Sequence, residues 1–158
     1  MRLRQARSEE RAGLEALQRR ASLMWEDDRV FLLANPDVIE LPLAHIRAGR
    51  VRVAEGDGAA LGFSVLLPRE DDAVLDGLFV EPDHWRRGIG RMLVEDAAAR
   101  ARALRLTALE VVANHNALGF YERLGFAVSG MAETPFGPAR RLRRGLDGGG
   151  NPPLPPQT

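Results

Sequence analysis

The chain has 158 residues and no net charge, with 22 basic and 22 acidic residues, and it is long enough to bury one hydrophobic core. It contains neither lysine nor cysteine, which excludes a lysine Schiff base, a cysteine nucleophile and a thiolate metal site. The balanced charge gives no reason to expect nucleic acid as a partner.

Targeting signals are absent from the sequence. No apolar run reaches the length of a transmembrane helix, and Met1–Arg7 lacks the apolar core of a signal peptide. We therefore expect a soluble, cytoplasmic protein with no membrane partner. Residues 1–146 are predicted to form one domain, followed by a Gly- and Pro-rich tail over residues 147–158.

The first third of the chain has mainly helical patterns. A short strand around Leu3–Gln5 precedes a helix that runs to about Met24. The sequence Trp25-Glu-Asp-Asp28 follows. Asn35-Pro36 predicts the start of a second helical segment, and Pro42 predicts a kink or a break within it.

From Gly49 the apolar residues alternate, which predicts strands. Turn signals at residues 55–58 and 69–72 separate three strands, and the third, Ala73–Val80, leads into a glycine-containing loop. An alanine-rich amphipathic helix begins at Ile89.

The remaining patterns predict a strand at Leu106–Ala113, a short helix at Asn116–Leu124, and a closing strand pair at Phe126–Ala132 and Arg140–Leu146. The strand, helix and strand over residues 74–113 predict a parallel pair within an otherwise antiparallel sheet. The predicted fold class is therefore α/β with a mixed, mostly antiparallel sheet.

The loop before the alanine-rich helix has the chemistry of a phosphate site. Gly88 and Gly90 leave backbone N–H groups uncovered at the positive end of a helix dipole, and charge comes from Arg86, Arg87 and Arg91. The loop lacks the lysine of a P-loop and the third glycine of a dinucleotide fingerprint. A tight turn whose glycines serve sterics alone is the structural alternative.

Two motifs lie on either side of the alanine-rich helix. The first is Leu78-Phe-Val-Glu-Pro82 followed by Arg87-Gly-Ile-Gly90, and the second is Asn114-x-x-Ala-x-x-Phe-Tyr-Glu-x-Leu-Gly-Phe126. Together with the element order, they resemble the GNAT superfamily of acetyl-CoA-dependent N-acetyltransferases over roughly residues 1–146. The resemblance implies the GNAT acetyltransferase fold, in which the central parallel strands splay apart between flanking helices.

The resemblance also implies acetyl-CoA as co-substrate and no metal. The pantetheine arm would lie in the splay along Leu78, Phe79 and Val80. The pyrophosphate would accept hydrogen bonds from the loop residues, which are Arg86, Arg87, Gly88, Ile89, Gly90 and Arg91. Asn114 would bind the pantetheine or the acceptor, with capping of the next helix as the structural alternative.

Catalytic roles follow from the same resemblance. Tyr121, the only tyrosine of the chain, occupies the position of the general acid that would protonate the departing thiolate. Packing in the core is the alternative for this residue. Asp76 is the first candidate for the general base, ahead of Glu81 and His84, although each is also explained as a strand-edge or turn charge.

The acceptor side and the cofactor loop each raise a question. In the family, the first two helices cover the acceptor end, so the candidate substrate-binding residues are Trp25, Glu26 and Asp28. They suit a cationic amine, with a solvated acidic turn as the alternative.

Trp85 stands where the family usually has Arg or Gln, and tryptophan does not pair with a phosphate as arginine does.

The sequence thus predicts acetyl transfer from acetyl-CoA to a primary amine of a small molecule or peptide. The transfer is expected to be direct, because no cysteine is available for an acetyl-enzyme. The alternative is a non-catalytic acyl-CoA-binding regulatory module of the same fold. A nucleic-acid binder using Arg140–Arg144 is a third hypothesis, which the balanced charge disfavours. Related folds often dimerise, so a homodimer is also considered.

Overall fold

The computed structural model describes residues 1–146, which form one seven-stranded sheet, five α-helices and two short 3-10 turns. The strands are β1 (Arg2–Gln5), β2 (Val51–Gly56), β3 (Ala59–Pro68), β4 (Ala73–Val80), β5 (Ala108–Ala113), β6 (Ala127–Thr134) and β7 (Gly137–Gly145). The helices are α1 (Arg11–Leu23), α2 (Glu26–Ala34), α3 (Leu43–Arg47), α4 (Ile89–Ala103) and α5 (Leu118–Arg123). The predicted tail lies outside the described residues.

The sheet has the strand order β1-β2-β3-β4-β5-β7-β6. All neighbouring strands are antiparallel except β4 and β5, which the α4 crossover joins in parallel. This arrangement confirms the predicted α/β fold class with a mixed, mostly antiparallel sheet.

The hydrophobic core has a layer on each face of the sheet. Helix α4 buries one face against the sheet, beginning with Ile89 and Leu93. On the other face, Leu14 and Leu17 of α1 pack with Phe63 of β3. Both faces of the sheet are therefore covered by a helix, α4 on one face and α1 on the other.

Helix α2 differs from the prediction. It runs from Glu26 to Ala34, where no helix was predicted, and the helix predicted from Asn35-Pro36 is present only as α3, which begins at Leu43 after Pro42. Its acidic first turn, Glu26–Asp28, suits the positive end of the helix dipole, and this is the signal that the prediction missed. Pro36 disfavours helical angles at Asn35, which explains why the helix stops there.

The parallel pairing of β4 and β5 is short. Ala73 lies opposite Leu109 and Val74 lies opposite Glu110, and beyond these two pairs the strands diverge. We call the space between the C-terminal halves of β4 and β5 the cleft. The splay expected from the resemblance is therefore present.

A β-bulge in β4 lies where the cleft begins. Leu75 and Gly77 lie opposite two consecutive β3 residues, Leu66 and Val65, so Asp76 is the extra residue of the bulge. A bulge bends its strand and increases the local twist. The bend in β4 thus coincides with the end of its pairing with β5.

Candidate active site

The loop after β4 presents a run of free backbone donors. From Arg86 to Arg91, no backbone N–H group has a hydrogen-bond partner within residues 1–146, and the first N–H bond of α4 runs from Met92 to the carbonyl of Gly88 at 3.0 Å. The first N–H groups of a helix have no internal partner, and the helix dipole favours an anion there. The predicted pyrophosphate loop therefore has the donors that such a group requires.

The two loop glycines serve different purposes. Gly88 has a φ of +82° at the N-cap of α4, a backbone conformation that L side chains rarely adopt. Gly90 instead gives Phe120 room, because an added Cβ would lie 3.1 Å from its ring. Arg86 also has a positive φ of 65°, although it carries a side chain. The loop thus carries backbone strain at Arg86, whereas its glycine cap adopts a positive φ without strain.

The arginines of this loop differ from those of β7. Within residues 1–146, Arg86 and Arg87 form no ion pair and are exposed, and Arg91 is likewise exposed without one. In contrast, Arg143 lies 2.7 Å from Asp72, and Arg144 lies 2.6 Å from Glu95. Much of the charge on the β7 strand is therefore neutralised internally, which weakens the nucleic-acid hypothesis.

The C-terminal end of β4 directs its peptide groups into the cleft. Glu81 donates its N–H to the carbonyl of Leu61 at 2.8 Å, towards β3, so the neighbouring Val80 faces the opposite way. The Val80 carbonyl accepts a hydrogen bond from the Trp85 indole at 2.7 Å, which agrees with this direction. The N–H of Val80 points the same way, towards the cleft, as do the peptide groups of Leu78.

Phe79 plays a different part from its two neighbours. By the same alternation its peptide groups face β3, and its side chain packs at 5.4 Å from the ring of Phe63. Of the three β4 residues predicted to contact the pantetheine, Leu78 and Val80 therefore present backbone groups to the cleft.

Tyr121 lies on α5, which follows β5. It is only 6% exposed and packs edge-to-face with Phe120 and Phe126, at ring-centroid distances of 5.0 and 5.4 Å. Its hydroxyl has no hydrogen-bond partner within residues 1–146, and it is not among the polar atoms that are sealed from solvent there. Burial of the ring raises the pKa of Tyr121, because the phenolate would be poorly solvated.

The candidate bases occupy contrasting environments. Asp76 is exposed and makes no ion pair or side-chain hydrogen bond within the described residues. Since Leu75 and Leu78 on either side of the bulge contact the α4 layer, Asp76 lies on the opposite face of the sheet. Glu81 instead accepts two hydrogen bonds from Arg20, both at 2.7 Å.

The contact with Arg20 decides what Glu81 can do. These hydrogen bonds lower the pKa of Glu81 and occupy both of its oxygens, so it is a poor proton acceptor. His84, the third candidate, is half-buried at the end of the 3-10 turn Pro82–His84. Asp76 remains the first candidate because its carboxylate is free.

The start of α2 spans the mouth of the cleft. Trp25 stacks on Trp85, with the ring centroids 5.1 Å apart, and so reaches the β4 side. On the β5 side, Asp28 accepts a hydrogen bond from the Asn114 side chain at 3.4 Å. Burial raises the pKa of Asp28, and this hydrogen bond partly opposes the shift. Glu26, the third candidate, is exposed.

Asn114 also makes the contact expected of a helix cap. Its Oδ1 accepts a hydrogen bond from the backbone N–H of Ala117 at 3.1 Å, just before α5 begins. The structure therefore shows the capping contact that was the alternative role of Asn114. Contact of Asn114 with a cofactor or an acceptor stays a prediction.

Sequence reasoning missed two contacts of the site. Arg20 and Glu81 are 61 positions apart, and the helical spacing of apolar residues on α1 does not predict their pairing. The position of Phe120 against Gly90 links α5 to the start of α4.

Other parts of the described chain contribute little to the site. A surface cavity of about 390 Å³ lies between α1 and residues 36–40, away from the cleft. Residues 1–146 contain no group of three or more side chains suited to hold a metal ion. Within the same range, no helix combines the length and hydrophobicity needed to cross a membrane.

The splayed parallel pair, with a donor-rich loop between β4 and α4, defines an α/β protein of the acyltransferase type. The sequence model of the acetyltransferase (GNAT) family matches residues 12–126, and the chain belongs to this family. The family and the fold class expected from the two motifs are thus confirmed.

Three proteins with curated names or solved structures are similar to this chain. It is 44% identical over 59 residues to the peptidyl-lysine N-acetyltransferase YjaB of Salmonella typhimurium, covering 37% of this chain and 39% of that protein. It is 33% identical over 135 residues to the amino-acid acetyltransferase of Azotobacter vinelandii, covering 84% of this chain but 29% of that protein. The match thus spans well under two thirds of the length of these two relatives.

The PaiA N-acetyltransferase of Thermoplasma acidophilum, solved with coenzyme A, shares the fold with a TM-score of 0.77 at 16% identity. The match covers 92% of this chain and 98% of that chain.

Proposed function

We propose that this chain transfers an acetyl group from acetyl-CoA to a primary amine by direct attack in a ternary complex. The observation that carries the proposal is the run of unpartnered N–H groups from Arg86 to Arg91, beside a strand whose parallel neighbour has splayed away. Backbone donors at a helix N-terminus suit a pyrophosphate, and the unpaired arginines add charge. Acetyl-CoA would bring both a pyrophosphate for the loop and an amide-bearing arm for the cleft.

The end of β4 supports a role in activating the thioester. The N–H of Val80 points towards the cleft, where it would donate a hydrogen bond to the thioester carbonyl. A fixed donor at this oxygen stabilises the negative charge that develops when an amine attacks the carbonyl carbon.

The proton transfers are assigned to two side chains. Asp76, exposed and without a side-chain partner within residues 1–146, would accept the proton that the ammonium group of the acceptor must lose before attack. The neutral amine then forms the new C–N bond, the C–S bond breaks, and Tyr121 donates its proton to the departing thiolate. The nitrogen loses its second proton as the amide forms, and this proton restores the Tyr121 phenol through solvent. A phenol is protonated at neutral pH, so Tyr121 can enter the step as a donor, and burial, which raises its pKa, makes it a weaker acid than a solvated tyrosine.

The second candidate is a non-catalytic module that binds acyl-CoA. It is favoured by Trp85, which occupies the usual Arg or Gln position and already holds the Val80 carbonyl. This candidate predicts binding of acetyl-CoA without turnover, and no effect of changes at Tyr121.

The test is thiol release from acetyl-CoA with a panel of amines that includes a lysine peptide, free amino acids and polyamines. Turnover with at least one amine is expected, and Tyr121→Phe should lower kcat by about 10² or more while the Kd of coenzyme A stays unchanged. Thermal unfolding of Tyr121→Phe serves as the control. Since the hydroxyl has no partner within residues 1–146, its removal should leave stability within about 0.5 kcal/mol.

Two outcomes would contradict the proposal in different ways. Binding of acetyl-CoA with no thiol release for any amine would favour the regulatory module. Turnover that survives Tyr121→Phe at full rate would leave the enzyme standing but return Tyr121 to a packing role.

A further inference from the structure

Trp85 supplies a partner to the last residue of β4. Its indole Nε1 donates to the Val80 carbonyl at 2.7 Å, and the ring is half-buried against Trp25. The hydrogen bond is short for an N–H···O contact, and the stacked ring limits the access of water to it. Trp85 is therefore an ordered part of the cleft wall.

The Val80 carbonyl needs this partner because of the splay. Its direction is away from β3, since the next residue, Glu81, is the one that donates to β3. The β4–β5 pairing ends at Val74, so no strand reaches the carbonyl from the other side. Within residues 1–146 the indole therefore supplies the hydrogen bond that β5 does not.

This contact changes what the end of β4 offers to a ligand. In an extended residue the N–H and C=O point the same way, so Val80 would present both a donor and an acceptor to the cleft. Because the Val80 carbonyl already accepts a hydrogen bond from Trp85, the Val80 N–H is the group that can still bind a ligand. A free carbonyl oxygen here would also repel negative charge that develops on a nearby thioester oxygen.

We propose that Trp85 is a positioning residue for the acyl group. Its indole N–H anchors the Val80 carbonyl, fixes the direction of the Val80 N–H, and makes the end of β4 a donor-only surface for the thioester oxygen. The inference rests on the proposed acetyl transfer and assigns a use to the residue that departs from the family's usual Arg or Gln.

Trp25 has a separate part in this arrangement. Its ring stacks on Trp85 with an interplanar angle of 24° but makes no hydrogen bond to Val80. The stack holds the indole, whereas only Trp85 supplies the N–H. Substitution of one tryptophan or the other therefore separates the hydrogen bond from aromatic packing.

The test compares Trp85→Phe with Trp25→Phe as its matched control. Trp85→Phe keeps an aromatic ring and removes the donor, so kcat should fall about tenfold, less than for loss of a direct oxyanion donor, with the KM for acetyl-CoA within about twofold. Trp25→Phe keeps the donor but changes a candidate substrate-binding residue, so its kcat should fall clearly less than that of Trp85→Phe, whatever happens to the KM for the amine. Equal effects of the two variants, or a change in KM alone, would overturn the proposal.

A second measurement does not depend on turnover. The chain has two tryptophans, so its NMR spectrum contains two indole N–H signals, and the Trp85 signal, identified by its loss in Trp85→Phe, should exchange slowly with solvent. It should stay protected when acetyl-CoA binds. Loss of protection on binding would show that the cofactor displaces the indole and would overturn the positioning role.

The two proposals fail in distinguishable ways. If the wild type binds acetyl-CoA but acetylates no amine, the proposed function fails and the positioning role fails with it. If the wild type is active and Trp85→Phe matches Trp25→Phe, only the role of Trp85 is lost.

Discussion

The two ends of the β4–β5 pair are built in opposite ways. At the N-terminal end of β4 the strands pair, and Asp72 accepts hydrogen bonds from Arg69 and Arg143 at 2.7 Å each. At the C-terminal end the strands are apart, and the following N–H groups, from Arg86 to Arg91, have no partner within residues 1–146. The same two strands thus have satisfied polar groups at one end and available ones at the other.

The Asp76 bulge separates these two regions of β4. On the paired side, polar groups are satisfied within the fold, so they contribute to stability. On the splayed side, the backbone keeps donors whose partner has to come from a ligand. Substitutions at the paired end should therefore change stability alone, and those at the loop should change cofactor binding.

The largest effect is expected at the helix cap. Gly88→Ala places an L side chain at a φ of +82°, which costs about 1–2 kcal/mol unless the loop moves. Movement of the loop would misdirect its N–H groups, so the KM for acetyl-CoA should rise about tenfold, measured by steady-state kinetics.

Gly58→Ala is the matched control for this prediction. Gly58, in the β2–β3 turn, has a φ of +76°, and neither glycine has any atom within 4 Å of an added Cβ. The two variants should lose similar stability, but Gly58→Ala should leave the KM unchanged. Equal KM values in the two variants would contradict a binding role for the loop.

A smaller effect, on stability alone, is expected at the paired end. Hydrogen bonding to Arg69, and then to Arg143, holds the pKa of Asp72 well below its ordinary value. Because the folded-state pKa is lowered, the stabilisation is present above the unfolded pKa of about 3.9 and is lost as pH falls towards the folded value. Asp72→Asn should therefore lower the free energy of unfolding by about 1 kcal/mol at pH 7, and by less below about pH 4.

Urea unfolding at several pH values checks this prediction, with Asp71→Asn as the control. Asp71 is exposed, and its carboxylate forms no ion pair in the described part of the chain. Neither variant should alter the KM for acetyl-CoA. A rise in KM for Asp72→Asn would show that the two ends of the pair are coupled.

The smallest effect is expected at Arg86. Arg86→Gly relieves a φ of 65° but adds backbone freedom to the unfolded chain, so the free energy of unfolding should rise by only about 0.5 kcal/mol. Loss of one exposed charge should raise the KM for acetyl-CoA about twofold. Arg105→Gly, at a φ of 62° after α4, should give the same stability change without the change in KM.

Local sequence patterns predicted much of the fold. The bounds of β4 agree residue for residue with the prediction. Gly125, which lies just after α5, has a φ of +91° that suits a glycine at the end of a helix. Helix α2 was not predicted, because the acidic run at Glu26 was not recognised as the first turn of a helix. These are local features, which neighbouring residues can signal or obscure.

The sequence by itself determined the family, the loop and the candidate chemistry, because glycine positions, charge and strand alternation are local properties of the chain. The tertiary structure alone decided which peptide groups lack a partner. The direction of Val80, the contact of Trp85 with its carbonyl, and the pairing of Arg20 with Glu81 all depend on strand register and helix packing. Arg20 and Glu81 are 61 positions apart, and the direction of the Val80 peptide groups depends on the register of β4 with β3, so no local pattern records these features.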